Sequence, residues 1–133
     1  MKKPTEPTKP SDETTTVSQL RNQMTQFVRE RDWERYHRPK NLAMSLAIEA
    51  AELMEHFQWL DHDQAEQALA DPHTRREVAD EMADVLSFLL SLANATGIDL
   101  SRAFADKLES NCRKYPADQV RGDYKKPRKG NRE

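Results

Sequence analysis

Apolar positions in this chain recur at spacings of three and four residues from about residue 17 to about residue 115, and they seldom alternate. That is the period of amphipathic helices, not of strands. Leu20, Met24, Phe27 and Val28 mark one face of a first helix, expected from about Val17 to Tyr36, after which Pro39 interrupts. Asn41 is placed to cap a second helix, Leu42 to about Leu60, whose core stripe is Leu42, Leu46, Leu53, Phe57 and Leu60. The next segment holds at most a short helix, Gln64 to Ala70. Asp71 followed by Pro72 is a strong start signal, and Gly97 a strong stop, for a third long helix ending near Ala95. Its core stripe reads Val78, Met82, Val85, Leu89 and Leu92. Asp99 caps a fourth, Leu100 to about Tyr115, ended by Pro116. The pattern predicts an all-α fold, a four-helix bundle with short connections.

Composition agrees and adds limits. The chain of 133 residues is sized for one domain, and three glycines with few β-branched runs argue against a sheet. Residues 1–16, rich in Pro, Thr, Lys and Glu, are expected to be a disordered tail without the apolar segment of a secretory signal. No apolar run approaches the length of a membrane span, so no membrane partner is expected and the cytoplasm is the expected location. A single cysteine, Cys112, excludes an internal disulfide framework and points the same way. The net charge of −2 is uneven, because residues 121–133 hold six basic and two acidic residues. That basic tail is expected to be solvated and not to bind nucleic acid, and the ordered domain, residues 17–120, is left acidic.

The acid is patterned. On a helical wheel Ser45, Glu49, Glu52 and His56 form a stripe beside the core stripe of the second helix, with Met44, Ile48 and Trp59 beyond it. The carboxylates thus lie in a polar channel between apolar walls. The third helix repeats the design, with Glu77, Glu81, Asp84 and Phe88 along one edge of its core stripe. The chain therefore carries E-x-x-E and, further on, E-x-x-D, each pair on a single face. If the core stripes pack together, three or four carboxylates converge and repel one another unless a cation joins them. Oxygen-only ligands suit Mg²⁺, with Mn²⁺ as the alternative, and a cation held by few protein ligands leaves positions for substrate phosphates. The opposing reading is an ordinary charged surface beside a core stripe. Periodicity alone leaves the two open.

The run RDWERYHRPKNLAMSLAIEAAELMEHFQW, residues 31–59, with the later EMADVL and NCRKYP, resembles the MazG-like all-α nucleoside triphosphate pyrophosphohydrolases, specifically the dCTP pyrophosphatase branch. The resemblance covers about residues 17–120. It implies a helical, oligomeric enzyme, a dimer or a tetramer, that splits a nucleoside triphosphate between the α and β phosphates with Mg²⁺. Glu49, Glu52, Glu81 and Asp84 would be catalytic metal ligands. Trp33, His37, Asn41 and Trp59 match positions around base and sugar, and Phe88 stands where relatives often have tyrosine. Lys107, Asn111, Lys114 and Tyr115 match positions on the last helix near sugar and phosphates. Ser45 and His56 are expected to support the carboxylates. Relatives often have glycines near the first acidic pair, where this chain has Ala47, Ala50 and Ala51. The expected reaction is hydrolysis of dCTP or a modified dCTP. Broad house-cleaning activity on nucleotides such as dUTP is the enzymatic alternative, and an inactive helical binding module the non-enzymatic one.

Overall fold

The computed structural model describes residues 8–123, and among these every regular element is helical. The chain divides into two compact units, Met1–Gly97 and Ile98–Glu133. The first contains α1 (Val17–Glu30), a 3₁₀ turn (Glu34–Tyr36), α2 (Pro39–Glu55), α3 (His62–Ala70) and α4 (Pro72–Thr96). The second contains α5 (Leu100–Lys114) and α6 (Ala117–Val120). Of the two expected tails, residues 1–7 and 124–133 lie outside the described residues. Within the first tail, Ser11 and Thr14 form a hydrogen-bonded turn, and Thr16 caps α1. No single helix among the described residues is long and apolar enough to cross a membrane.

Local chemistry fixes most of the boundaries. Thr16 and Gln19 form a reciprocal capping box at the start of α1, and Asp61 and Gln64 do the same for α3. Asp71 caps α4 by accepting hydrogen bonds from the Thr74 amide and hydroxyl, both at 2.9 Å, which hold its carboxyl below the usual range. Gly97 ends α4 with φ 72°, a left-handed conformation that favours glycine.

Three expected boundaries are corrected. Helix α1 stops at Glu30, not Tyr36, because Asp32 turns left-handed at φ 54°. The Trp33 amide then donates to the Val28 carbonyl and the Asp32 amide to that of Arg29, a Schellman closure on a non-glycine residue. The second correction concerns α2, which begins at Pro39 after an extended Arg38, so Asn41 is not its cap. The Asn41 side chain instead donates to the Tyr36 carbonyl at 3.3 Å. Helix α2 also ends at Glu55, and residues 56–60 continue as turns.

Helix α4 is the spine of the first unit. It packs most extensively on α2, then on α1 and α3. The buried apolar side chains are Val28 of α1, Leu42 of α2, and Val78, Leu90 and Ala93 of α4. On α2 the expected stripe holds at Leu42, with Leu46, Leu53 and Phe57 half-buried and Leu60 39% exposed. On α4 the expected stripe is wrong in part: Met82 is 58% exposed and Leu89 37%, whereas Leu90 and Ala93 are nearly inaccessible. A helix with three neighbours buries more than one stripe, and the end of α4 turns its Leu90–Ala93 side to α1.

Candidate functional site

The α2–α4 pairing brings the acidic edges together. Glu49 and Glu52, one turn apart on α2, and Glu81 on α4 each present a carboxylate oxygen, all within 4.8 Å of one another. Glu49 and Glu81 are half-buried and Glu52 is exposed. One oxygen of Glu49 and one of Glu81 are shielded from solvent with no hydrogen-bond partner. Unpaired buried carboxylate oxygens are costly, and the electrostatics register that cost. Burial, followed by the adjacent Glu52 and then Asp84 and Glu81, pushes the Glu49 carboxyl up to about 7. Glu81 is also raised, by burial and by Glu52 and Asp84, against the opposing charge of His56.

Two orphaned oxygens in a set of three carboxylates fit a hard divalent cation that prefers oxygen ligands. Asp84 stands outside the 4.8 Å group, although its charge acts on both Glu49 and Glu81. It lines a neighbouring recess of about 490 Å³ with Met24, Phe27, Trp33, His37, Ser87 and Phe88. The acidic centre and an aromatic-walled recess thus adjoin through α4, since Glu81, Asp84 and Phe88 follow one another along that helix.

The end of α1 builds the far wall of the recess. The left-handed turn at Asp32 carries the chain back on itself, and the rings of Phe27 and Trp33 meet edge to face, centroids 5.9 Å apart. The Arg31 guanidinium caps the Phe27 ring at 3.8 Å. His37 closes the 3₁₀ turn, its Nδ1 3.0 Å from the Trp33 carbonyl oxygen. Because that oxygen only accepts, Nδ1 carries the proton, and in the neutral ring Nε2 is left as an acceptor.

The remaining expected residues divide between the two units. Asn41 is exposed, with its amide held on the Tyr36 carbonyl. Trp59 is 85% exposed beyond the end of α2 and lines neither this recess nor a smaller one beside α1. Lys107, Asn111, Lys114 and Tyr115 belong to the second unit, where Lys107 and Lys114 are exposed and Asn111 is half-buried. There the Lys114 ammonium lies 5.3 Å from the centre of the Tyr115 ring. Ser45 and His56 are half-buried on the α2 acidic stripe. Met24, Phe27 and Ser87 line the recess without having been singled out as site residues. Met24 and Phe27 read as core, because they share one helical face with Leu20 and Val28.

The acidic helices also decide the family. The sequence profile of the MazG-like family matches residues 44–126, more than half of the chain, and spans both acidic pairs. The chain belongs to the MazG-like family. Among relatives of this MazG-like chain, dCTP pyrophosphatase 1 of Bos taurus is 36% identical over 107 residues, covering 80% of this chain and 63% of that protein. The Homo sapiens protein of the same name is 36% identical over 111 residues, covering 84% and 65%. The chain therefore spans a little under two thirds of the length of these mammalian relatives. The crystal structure of a pyrophosphatase from Archaeoglobus fulgidus superposes with a TM-score of 0.71 at 42% identity, covering 75% of this chain and 92% of that one.

Proposed function

We propose that this MazG-like protein is a Mg²⁺-dependent nucleoside triphosphate pyrophosphohydrolase that converts dCTP, or a modified dCTP, to the monophosphate and pyrophosphate. The observation that carries the reading is the convergence of Glu49, Glu52 and Glu81 within 4.8 Å, with two shielded and unpartnered carboxylate oxygens. The names of the relatives, dCTP pyrophosphatase 1 and a pyrophosphatase, support the substrate and the bond cleaved. Glu49, Glu52 and Glu81, with Asp84 beside them, would hold the cation, Mn²⁺ being the alternative. A divalent cation bound there supplies charge neutralisation for the triphosphate and a lowered pKa for an attacking water.

The chain's own residues do the rest. One of Glu49 and Glu52 would accept the proton of the water that attacks the α phosphorus instead of ligating the cation directly. Trp33, Phe27 and Phe88 offer ring faces and edges to the base and sugar in the recess, and His37 offers a hydrogen-bond acceptor. By the family resemblance, Lys107, Asn111, Lys114 and Tyr115 would meet sugar and phosphates; Asn41 and Trp59, which the resemblance places around the base, do not line the recess. Residues 17–120 form the catalytic domain in this reading, between a short N-terminal tail and a basic C-terminal one.

The same reading makes the enzyme a homo-oligomer, a dimer or tetramer. Met44, Ile48 and Met54 on α2 and Met82 on α4 are each 55–58% exposed, and Trp59 is 85% exposed. Apolar side chains flanking an acidic stripe on this scale call for a further partner surface. Sedimentation at micromolar concentration is expected to give a dimer or tetramer, and a monomer alone would refute the assembly. The activity is tested by a pyrophosphate-release screen over dCTP, 5-modified dCTP, dTTP, dUTP and purine triphosphates with Mg²⁺ and with Mn²⁺. Highest kcat/KM is expected for a cytidine nucleotide; comparable values for all would favour the house-cleaning alternative. Absence of release with every nucleotide would refute the enzyme.

A further inference from the structure

Helix α1 forms one wall of the aromatic recess, yet Val28 is its only buried residue. So little apolar burial gives weak control over how a helix slides or rolls on its neighbour. The polar contacts are more specific. The Arg21 side chain donates from Nε to Asn94 Oδ1 at 2.9 Å and from Nη2 to the Ala93 carbonyl at 3.0 Å. In return, Asn94 Nδ2 donates to the Arg21 carbonyl at 3.0 Å and to Thr25 Oγ1 at 3.1 Å. Thr25 closes the loop by donating its own hydroxyl to the Arg21 carbonyl at 3.1 Å. All five hydrogen bonds are part-buried; four join one turn of α1 to the last turns of α4, and the Thr25 bond braces that turn from within α1.

We infer that Asn94 is a positioning residue for the nucleotide recess, acting through Arg21 and Thr25 to set the register of α1 on α4. The inference rests on the function proposed above. Met24 and Phe27, on the same stretch of α1, face Asp84, Ser87 and Phe88 of α4 across the recess. Asn94 does not line that space; it lies six residues, ~9 Å along the axis at the usual helical rise, beyond Phe88, the recess residue nearest to it along α4. A network that donates in both directions between two helices fixes translation and rotation together, which a single apolar contact does not. The carboxylates of α2 and α4 do not depend on it, because the α2–α4 pairing holds them. The clamp therefore governs how a base and sugar fit, and leaves the acidic centre intact.

Asn94→Ala in the full chain tests this. With pyrophosphate release as readout, KM for the preferred nucleotide is expected to rise about tenfold, as small misplacements of binding groups do. Meanwhile kcat and the half-saturating Mg²⁺ concentration stay within about twofold. Asn94→Asp, which keeps the acceptor for Arg21 and loses both donors, should fall between. A lowered Tm with KM unchanged, or KM and Mg²⁺ dependence shifting together, would overturn the positioning role. Should the unaltered protein release no pyrophosphate, the functional reading fails, and amide hydrogen exchange judges the clamp alone. Faster exchange over residues 22–28 in Asn94→Ala then supports it, and unchanged exchange there overturns it.

Discussion

Glu52→Gln is expected to lower pyrophosphate release by about a thousandfold or more, the scale seen when a central group of a catalytic unit is removed, while the helical fold and Tm are kept or improved. Glu52 is the exposed member of the three-carboxylate group, so its amide does not create a buried polar defect. After burial, Glu52 is also the chief neighbour pushing up Glu49, first through a side-chain hydrogen bond and then through its charge. Removing it relieves repulsion between like charges, and the Glu49 carboxyl should titrate closer to the ordinary value of 4.5. Circular dichroism and thermal melts check the fold, carbon-13 NMR of the glutamate carboxyls follows the titration, and a pyrophosphate assay reads the chemistry. Glu55→Gln, an exposed change on the same helix outside the group, serves as the control and should retain activity. Full activity in Glu52→Gln would remove this residue from the metal centre.

The second large effect is a coupling of stability, pH and divalent cation. Glu49 is raised in the folded protein to about 7 from an ordinary 4.5, so folding favours its protonated form. Stability from this group is therefore fully present below about 4.5 and is lost as pH rises through 7. Glu81 is raised as well and acts in the same direction. The metal-free protein should consequently melt at a lower temperature at pH 8 than at pH 5.5. A cation competes with those protons for the same oxygens, so millimolar Mg²⁺ should raise Tm markedly at pH 8 and little at pH 5.5. Differential scanning calorimetry at the two pH values, with and without Mg²⁺, reads all four states. Glu49→Gln should flatten the pH dependence and reduce the gain from Mg²⁺. An equal Mg²⁺ effect at both pH values would show that the carboxylates do not share a cation.

The chemical signals of the sequence translated directly where they were local. Asp71 before Pro72 starts α4 because a short carboxylate reaches amides three residues on, and Gly97 ends it because a left-handed residue is needed there. The acidic pairs could be read for the same reason: a three-residue step on a helix puts two side chains on one face whatever surrounds it. That Glu49, Glu52 and Glu81 converge followed once the helices were assumed to pair through their core stripes.

Other features could not be read in this way. The left-handed turn at Asp32 shortens α1 and swings Trp33 and His37 toward the recess, but a single residue's dihedral leaves no periodic trace. Met24 and Phe27 read as core because an apolar stripe does not distinguish a packed neighbour from a recess wall. Leu90 and Ala93 are buried where Met82 and Leu89 were expected, since periodicity marks an apolar side without counting the helices that pack on it.

By itself, then, the sequence determined that the chain is helical, where most of its helices begin and end, and that its carboxylates lie in paired sets beside the core. Only the tertiary structure decided that Glu49, Glu52 and Glu81 share one centre while Asp84 opens onto the adjoining recess, and that Arg21 and Asn94 tie α1 to α4. The division has a physical cause. Helical periodicity and capping act within a few residues, whereas the width of a recess and the spacing of charges on different helices depend on how those helices are packed.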